Sequence, residues 1–202
     1  MQLSVSEEED QMRTNHEKEL AVSAAAQSGS NAKFIAITAI FVALTFVFTA
    51  FVNIRLPIAA NGGLVHLGNI PLFIGAIIFG KKTGAIAGAV GMGLFDLMGG
   101  WSLWAPFTFV IVGLMGFVVG KITEKQEHQK FVWYAVAILA ACGIKIVGYY
   151  IAEGIIYGNW IAPVTSIPGN LVQIGIAAVI TLAIVGRLRK AAAVTGLIRT
   201  DD

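Results

Sequence analysis

Six apolar runs, separated by short polar segments, dominate the sequence between Phe34 and Val185. They cover Phe34–Phe51, Ile70–Phe79, Thr83–Met98, Trp104–Val119, Phe131 to about Ala152, and about Asn170 to Val185. Runs of about 20 apolar residues are typical of helices that cross a lipid bilayer, because lipid offers no hydrogen bonds to an exposed backbone. The pattern therefore predicts an all-α integral membrane protein with six transmembrane helices.

Composition agrees with a membrane location and excludes several other classes of protein. Of the 202 residues, 56% are hydrophobic and 13% are charged, whereas soluble domains average about 25% charged residues. No basic stretch with interleaved aromatic residues indicates a nucleic-acid partner. The single cysteine, Cys142, provides neither a disulfide framework nor a cysteine-based zinc site. We therefore predict no metal site.

The sequence also lacks several familiar catalytic motifs. It contains no G-x-x-x-x-G-K-[ST] phosphate loop, no H-E-x-x-H and no G-x-S-x-G. The chain is therefore not expected to hydrolyse ATP by the phosphate-loop route, and no catalytic residue or cofactor is predicted for it.

The N-terminal segment differs from the rest of the chain. It carries an acidic run from Glu7 to Asp10 and lacks the basic start and apolar stretch of a secretory signal. We expect residues 1–32 to form a disordered acidic cytoplasmic tail. Residues 33–190 are expected to form the membrane domain, and residues 191–202 a second cytoplasmic tail.

Basic residues predict the orientation of the six spans. With the N-terminus inside, nearly all of the 14 Lys and Arg residues fall on the cytoplasmic side. The exceptions are Arg55, in the first outer loop, and Lys145, within the fifth span. This asymmetry follows the positive-inside rule and predicts that both termini are cytoplasmic.

The second span is too short to cross the bilayer. Ile70–Phe79 forms about 15 Å of helix at about 1.5 Å per residue, half of the roughly 30 Å of hydrocarbon. The preceding segment, Leu64–Asn69, is the only stretch that can fill the missing depth. Since non-helical backbone survives at membrane depth only inside protein, we expect the first outer loop to dip into the site. Gly62, Gly63 and Gly68 favour a mobile lid over Asn61–Asn69.

Polar and aromatic residues from separate segments are predicted to meet in one outer layer. Lys145 lies about 21 Å along the fifth helix from Phe131, and Tyr149 and Glu153 follow on the same helix face. Charges within a bilayer are costly and mark candidate functional sites. The predicted substrate-binding residues are His66, Asn69, Asp96, Trp101, Trp104, Lys145, Tyr149, Glu153, Asn170 and Gln173.

The aromatic and charged members of this set have structural alternatives. Trp101 and Trp104 fit equally well in the aromatic belt at the membrane interface. Lys145 is also compatible with an ion pair to Asp96 or Glu153, although buried pairs need not be stabilising. Glu153 alternatively lies among the outer headgroups.

The polar members have alternatives too. His66 can be a loop histidine with its hydrogen bonds satisfied, and Asn170 can cap the sixth helix, since Asn is a good N-cap. No such alternative applies to Gln173.

Small residues predict close helix contacts. Gly84, Gly88 and Gly91 recur at intervals of three and four residues in the third span, which favours internal packing. Ala39 and Ala43 form a small-xxx-small pair in the first span, compatible with internal packing or with docking of another membrane protein.

Several ordered segments resemble a known family. They are Gly63–Pro71, Phe79–Gly84, Leu94–Met98, Trp104–Phe109 and Pro168–Gln173. These segments are similar to those of the substrate-binding S components of energy-coupling factor (ECF) vitamin transporters. The riboflavin-type group, which includes the hydroxymethylpyrimidine and pyridoxine S components, is the most similar branch. The resemblance covers roughly Lys33–Lys190.

The resemblance implies a six-helix S component in a bacterial plasma membrane that binds a vitamin from outside, with the first loop as a lid. It implies docking through Ala39 and Ala43 onto a transmembrane coupling subunit. Two partner ATPases would hydrolyse ATP and drive release inside, by toppling of the S component within the membrane.

The expected ligand is hydroxymethylpyrimidine or a vitamin B6 form, with Trp101 or Trp104 stacking on its ring. Riboflavin and pantothenate are the alternative ligands. Two functions of another class are also compatible with the sequence: a stand-alone proton-coupled carrier that uses Asp96 or Glu153, and an intramembrane enzyme.

Overall fold

The computed structural model describes residues 2–55, 64–124 and 131–198. Across these residues the chain forms six α-helices in the order that the apolar runs predict. The helices are α1 (Gln2–Phe51), α2 (Asn69–Phe79), α3 (Lys81–Met98), α4 (Ala105–Glu124), α5 (Phe131–Tyr157) and α6 (Ile167–Val194). Two short strands, β1 (Asn53–Arg55) and β2 (Leu64–His66), pair antiparallel between α1 and α2, and a 3-10 helix (Ala162–Ser166) precedes α6.

Four helical segments are long and apolar enough to cross a membrane: Asn15–Phe51, Ala105–Glu124, Phe131–Tyr157 and Ala162–Val194. Helix α2 is apolar but has only 11 residues, or about 16 Å of length. Helix α3 has 18 residues. The all-helical membrane class and the short second helix therefore agree with the sequence, whereas the side of the membrane that each helix end faces stays a prediction.

The N-terminal segment is helical in the structure. Residues 2–32, expected to be a disordered tail, form the first part of α1. The segment after Asn15 contains Glu17, Lys18, Glu19 and five alanines, all strong helix formers. Side chains four residues apart also interact: Arg13 Nε lies 3.4 Å from Glu17 Oε1, and Gln27 donates to Asn31 at 3.2 Å. The chain divides into two compact units at Ile37 and Thr38.

The C-terminal boundary also differs slightly from the sequence prediction. Helix α6 continues to Val194, four residues into the segment that was expected to be a tail.

Helix α2 is the most buried element of the second unit. Leu72, Phe73 and Ala76 are completely buried, and Ile70 and Ile77 are nearly so. The helix contacts α3, α4 and α6. A helix that is apolar on all sides belongs in the interior, and the position of α2 places its first residue, Asn69, within the protein rather than at its surface.

Glycines allow α3 to pack closely against its neighbours. A Cβ atom at Gly88 would lie 2.6 Å from the backbone carbonyl oxygen of Val112 in α4, and one at Gly84 would lie 2.7 Å from that of Gly116. A Cβ at Gly91 would collide with the Thr45 side chain of α1. Internal packing, the role expected for these glycines, is therefore confirmed.

The turn between α2 and α3 is held to the end of α4. Gly80 adopts a φ of 88°, a left-handed conformation that favours glycine. Glu124 accepts hydrogen bonds from the backbone N–H of Lys81 at 2.9 Å and from its Nζ at 2.7 Å. These contacts fix the end of α4 beside the start of α3, the pair of helices that packs most extensively.

Candidate functional site

A chain of hydrogen bonds joins α5, α6 and the loop segment before α2. Lys145 of α5 is 2% exposed, and its Nζ donates to Gln173 Oε1 of α6 at 2.6 Å. Gln173, also 2% exposed, donates from Nε2 to the backbone carbonyl of His66 in β2 at 3.0 Å. The backbone of the segment before α2 therefore reaches the buried lysine through one glutamine side chain, in agreement with the predicted dip of Leu64–Asn69 into the protein.

A second set of contacts links Lys145 to α3 and α4. Its ammonium group lies 5.5 Å from the centroid of the Tyr149 ring, within the range of a cation–π interaction. The Tyr149 hydroxyl shares a 3.0 Å hydrogen bond with the hydroxyl of Thr108. Asp96 interacts with the Thr108 side chain and, electrostatically, with Lys145. Thr108, which was not among the predicted site residues, is therefore the connection between Asp96 and Tyr149.

The ammonium group of Lys145 has no close carboxylate partner in the described part of the chain. No ion pair within 4.0 Å involves Lys145 there. Its direct contacts are the neutral amide of Gln173 and the face of the Tyr149 ring. The direct ion pair to Asp96 or Glu153, which the sequence left open, is absent from this arrangement. A buried cation with only neutral direct contacts favours a polar ligand as a further partner.

Glu153 is engaged elsewhere in the site. Its side chain is 2% exposed, and Oε2 accepts a hydrogen bond of 2.6 Å from Ser166 Oγ at the end of the 3-10 helix. This burial places the Glu153 side chain inside the protein, whereas its depth relative to the outer headgroups stays a prediction. Ser166 is a second site residue that the sequence did not indicate.

The predicted tryptophans form one aromatic cluster. The rings of Trp101 and Trp104 meet edge-to-face with centroids 5.4 Å apart, and Trp104 meets Tyr157 in the same way at 6.0 Å. Both tryptophans are half-buried. Trp160, in contrast, is 54% exposed and packs on Tyr150, as expected for a residue of the interface belt.

The remaining predicted residues divide into three cases. Asn69 is completely buried, and neither atom of its amide finds a partner among the described residues. His66 is half-buried, and its Nδ1 accepts from the Gly68 N–H at 3.3 Å, which supports the alternative of a satisfied loop histidine. Asn170 is the fourth residue of α6, whose N-cap is Ser166. The alternative that Asn170 caps this helix is therefore wrong.

The two alanines proposed for partner docking lie on the surface of the second unit. Ala39 and Ala43 are exposed, as are Ile40 and Leu44 beside them. The buried face of this part of α1 is instead polar and includes Thr45, whose hydroxyl finds no partner in the described residues. The alanine pair therefore does not pack inside the second unit, which was one of the two roles compatible with the sequence.

Comparison with known proteins identifies the family. The sequence model of the ECF-type riboflavin transporter S component family matches residues 29–190. The chain belongs to this family. The matched residues have nearly the same limits as the resemblance found from the sequence motifs. As a member of this family, the chain is a multi-pass protein of the plasma membrane and a transport subunit rather than an enzyme.

Two relatives of this S component provide further comparison. It is 29% identical over 144 residues to the thiamine precursor transporter HmpT of Lactococcus lactis subsp. cremoris (strain MG1363), covering 71% of this chain and 80% of that protein. It is 30% identical over 105 residues to an uncharacterized protein in the gap 3′ region of Pyrococcus woesei, covering 52% of this chain and 69% of that protein.

Proposed function

We propose that this S component captures a small heteroaromatic vitamin precursor of the hydroxymethylpyrimidine type at the outer face of the membrane. The observation that carries the proposal is the buried ammonium group of Lys145, whose direct partners are neutral and whose surroundings include Asp96 and Tyr149. The similarity to a thiamine precursor transporter supports the same ligand class.

The chemistry of such a ligand matches the groups near Lys145. An aminopyrimidine presents ring nitrogens and a hydroxyl that accept hydrogen bonds, and an amino group that donates them. Lys145 would donate to an acceptor on the ligand, and the Asp96 carboxylate would accept from its amino group. The half-buried rings of Trp101 and Trp104 offer an aromatic surface for stacking. Asn69, Glu153, Asn170 and Gln173 complete the proposed polar set.

Delivery into the cell would depend on partner subunits. In this proposal the exposed pair Ala39 and Ala43 docks on the ECF coupling subunit, and two ATPase subunits hydrolyse ATP to drive release. In this proposal the S component itself needs no cofactor, and both of its termini are cytoplasmic, as its basic residues predict.

Ligand identity can be tested directly on purified protein. Mass spectrometry of small molecules released by denaturation should detect hydroxymethylpyrimidine or a vitamin B6 form, and calorimetric titration should rank these above riboflavin and pantothenate. Riboflavin is the second candidate, because the family that matches the chain is described as a riboflavin transporter family. Recovery of riboflavin, with no affinity for the smaller rings, would refute the proposed ligand class.

Co-purification distinguishes this function from that of a stand-alone carrier. An S component should bring down a coupling subunit and ATPases from its native membrane. A proton-coupled carrier using Asp96 or Glu153 should instead transport in vesicles that contain this chain alone.

A further inference from the structure

A groove lies between the first turns of α5 and the last turns of α6, at the opposite end of these helices from Glu153. It has a volume of about 420 Å³. Its walls are mainly apolar, with two cationic side chains, and are formed by Phe131, Tyr134, Leu182, Val185, Gly186, Arg189, Lys190 and Ala193. None of these residues belongs to the proposed vitamin site.

The cationic part of the groove lacks a charge partner on its own helices. Nη1 of Arg189 is buried and finds no hydrogen-bond partner among the described residues. Helix α6 contains no acidic residue, and the first acidic residue of α5 is Glu153, at its far end. At the end of α4, Glu124 is bonded to Lys81. A buried guanidinium nitrogen without an acceptor is costly, so the groove favours an anionic occupant.

The apolar part of the groove selects among anionic occupants. Phe131, Leu182 and Val185 line it next to Arg189 and Lys190. Two exposed residues beside the groove, Val132 and Leu188, are apolar as well. A free phosphate ion would gain nothing from these walls, whereas a phospholipid places acyl carbon beside its phosphate. Basic pockets between membrane helices bind anionic headgroups in this way, and guanidinium matches the geometry of phosphate oxygens.

We propose that this groove binds an anionic phospholipid, with its phosphate on Arg189 and Lys190 and the start of an acyl chain on Phe131, Leu182 and Val185. The positive-inside prediction assigns this end of α5 and α6 to the cytoplasmic leaflet. The bound lipid would anchor that end of the helices at the headgroup level. The proposal requires membrane embedding but is independent of the vitamin ligand.

Native mass spectrometry after reconstitution tests the proposal. Protein extracted in mild detergent from vesicles of equal phosphatidylglycerol and phosphatidylcholine should retain phosphatidylglycerol preferentially. Arg189→Gln should reduce its affinity about fivefold or more, because a cation near an anionic lipid surface contributes about that factor. Arg187→Gln is the matched control: it removes an equal charge two residues away, from a side chain that does not line the groove. It should leave retention nearly unchanged.

A second pair of variants fills space without changing charge. A Cβ at Gly186 or at Gly175 meets no atom within 4 Å, so both positions accept a side chain without a clash at its first atom. Gly186→Leu should displace the lipid from the groove, whereas Gly175→Leu, on the same helix but outside the groove, should not. This pair keeps the proposal testable even if Arg189→Gln fails to fold.

Several outcomes would overturn the proposal. Equal loss of lipid in Arg187→Gln and Arg189→Gln would show that retention reflects bulk charge. Equal retention of the two lipids, or displacement of phosphatidylglycerol by equimolar inorganic phosphate, would remove the lipid-specific site. Loss of co-purified coupling subunit in Gly186→Leu, with lipid retention unchanged, would assign the groove to a protein partner. Vitamin affinity measured on the same variants should not change, so failure of this proposal is distinguishable from failure of the proposed function.

Discussion

The substitution Lys145→Met tests the charge at the centre of the proposed site. It keeps a side chain of similar length and removes the ammonium group that donates to Gln173 at 2.6 Å. Two interpretations give different results. If Lys145 mainly stabilises Asp96, the variant leaves a half-buried carboxylate without its cation and should lose folded protein. If Lys145 mainly contacts the ligand, the variant should fold and bind more weakly.

The structure favours the second result and allows its size to be estimated. The ammonium group has no carboxylate within 4.0 Å in the described residues, so Lys145→Met leaves only Gln173 Oε1 without a donor. An orphaned buried acceptor costs about 1–3 kcal/mol of stability, which a folded membrane protein can tolerate. Loss of a charged hydrogen bond to the ligand costs about 1.5–3 kcal/mol. That loss corresponds to a decrease in affinity of about ten- to a hundredfold.

Calorimetric titration of hydroxymethylpyrimidine into monodisperse protein measures this difference. Thr181→Val is a suitable control, since Thr181 is a buried residue of α6 whose hydroxyl has no partner among the described residues. It should leave affinity unchanged. The double variant Lys145→Met, Asp96→Asn adds a second measurement, because it should restore folded yield only if the two residues act as a structural pair.

Two results would refute the reasoning. Unchanged affinity in well-folded Lys145→Met would remove Lys145 from the binding site. Loss of folded yield that Asp96→Asn restores would show that the electrostatic interaction between the two residues is structural, even though they make no direct ion pair in this conformation.

Three further predictions concern the rest of the molecule. The double variant Ala39→Leu, Ala43→Leu should abolish transport and co-purification with the coupling subunit but preserve vitamin binding. The control Ala183→Leu, at an exposed position of α6, should leave transport, co-purification and binding unchanged. Normal transport by the double variant would contradict docking at α1. Amides of Asn61–Asn69, of which residues 61–63 lie outside the described structure, should gain protection from hydrogen exchange when vitamin is added. Equal exchange with and without vitamin would exclude a lid that orders on binding. Gly68→Ala should lower the thermal unfolding midpoint, because its Cβ would collide with the Thr49 hydroxyl, and an unchanged midpoint would show that the segment can shift.

Much of the helical framework could be predicted from the sequence. The apolar runs place the ends of α1 and α2 at the residues where the structure ends them, and they identify α2 as too short to span a bilayer. This succeeds because backbone polar groups in lipid must be satisfied within a helix, so hydropathy and length alone define a span. The spacing of Gly84, Gly88 and Gly91 likewise predicts close helix contacts, since only glycine allows two backbones to approach so closely.

Some local structure was missed where the sequence signal was ambiguous. The N-terminal segment has a polar composition that suggests disorder, but its residues also have high helix propensity, and α1 extends through it. Asn170 is a good capping residue by type. However, the 3-10 helix ends at Ser166 and α6 begins at Ile167, three residues before Asn170, so Asn170 lies inside the helix rather than at its cap.

The pairing of the polar residues was decided by the tertiary structure alone. Depth along each helix brings Lys145, Asp96 and Gln173 to one layer, but a hydrogen bond also depends on the rotation of each helix and on side-chain rotamers, at a scale of tenths of an ångström. The sequence therefore could not choose between Gln173 and Asp96 as the partner of Lys145. Nor could it identify Thr108 or Ser166, because Thr and Ser hydroxyls in membrane helices commonly bond to their own backbone. Only the packing of α4 against α5, and of the 3-10 helix against α5, turns these hydroxyls toward Tyr149 and Glu153.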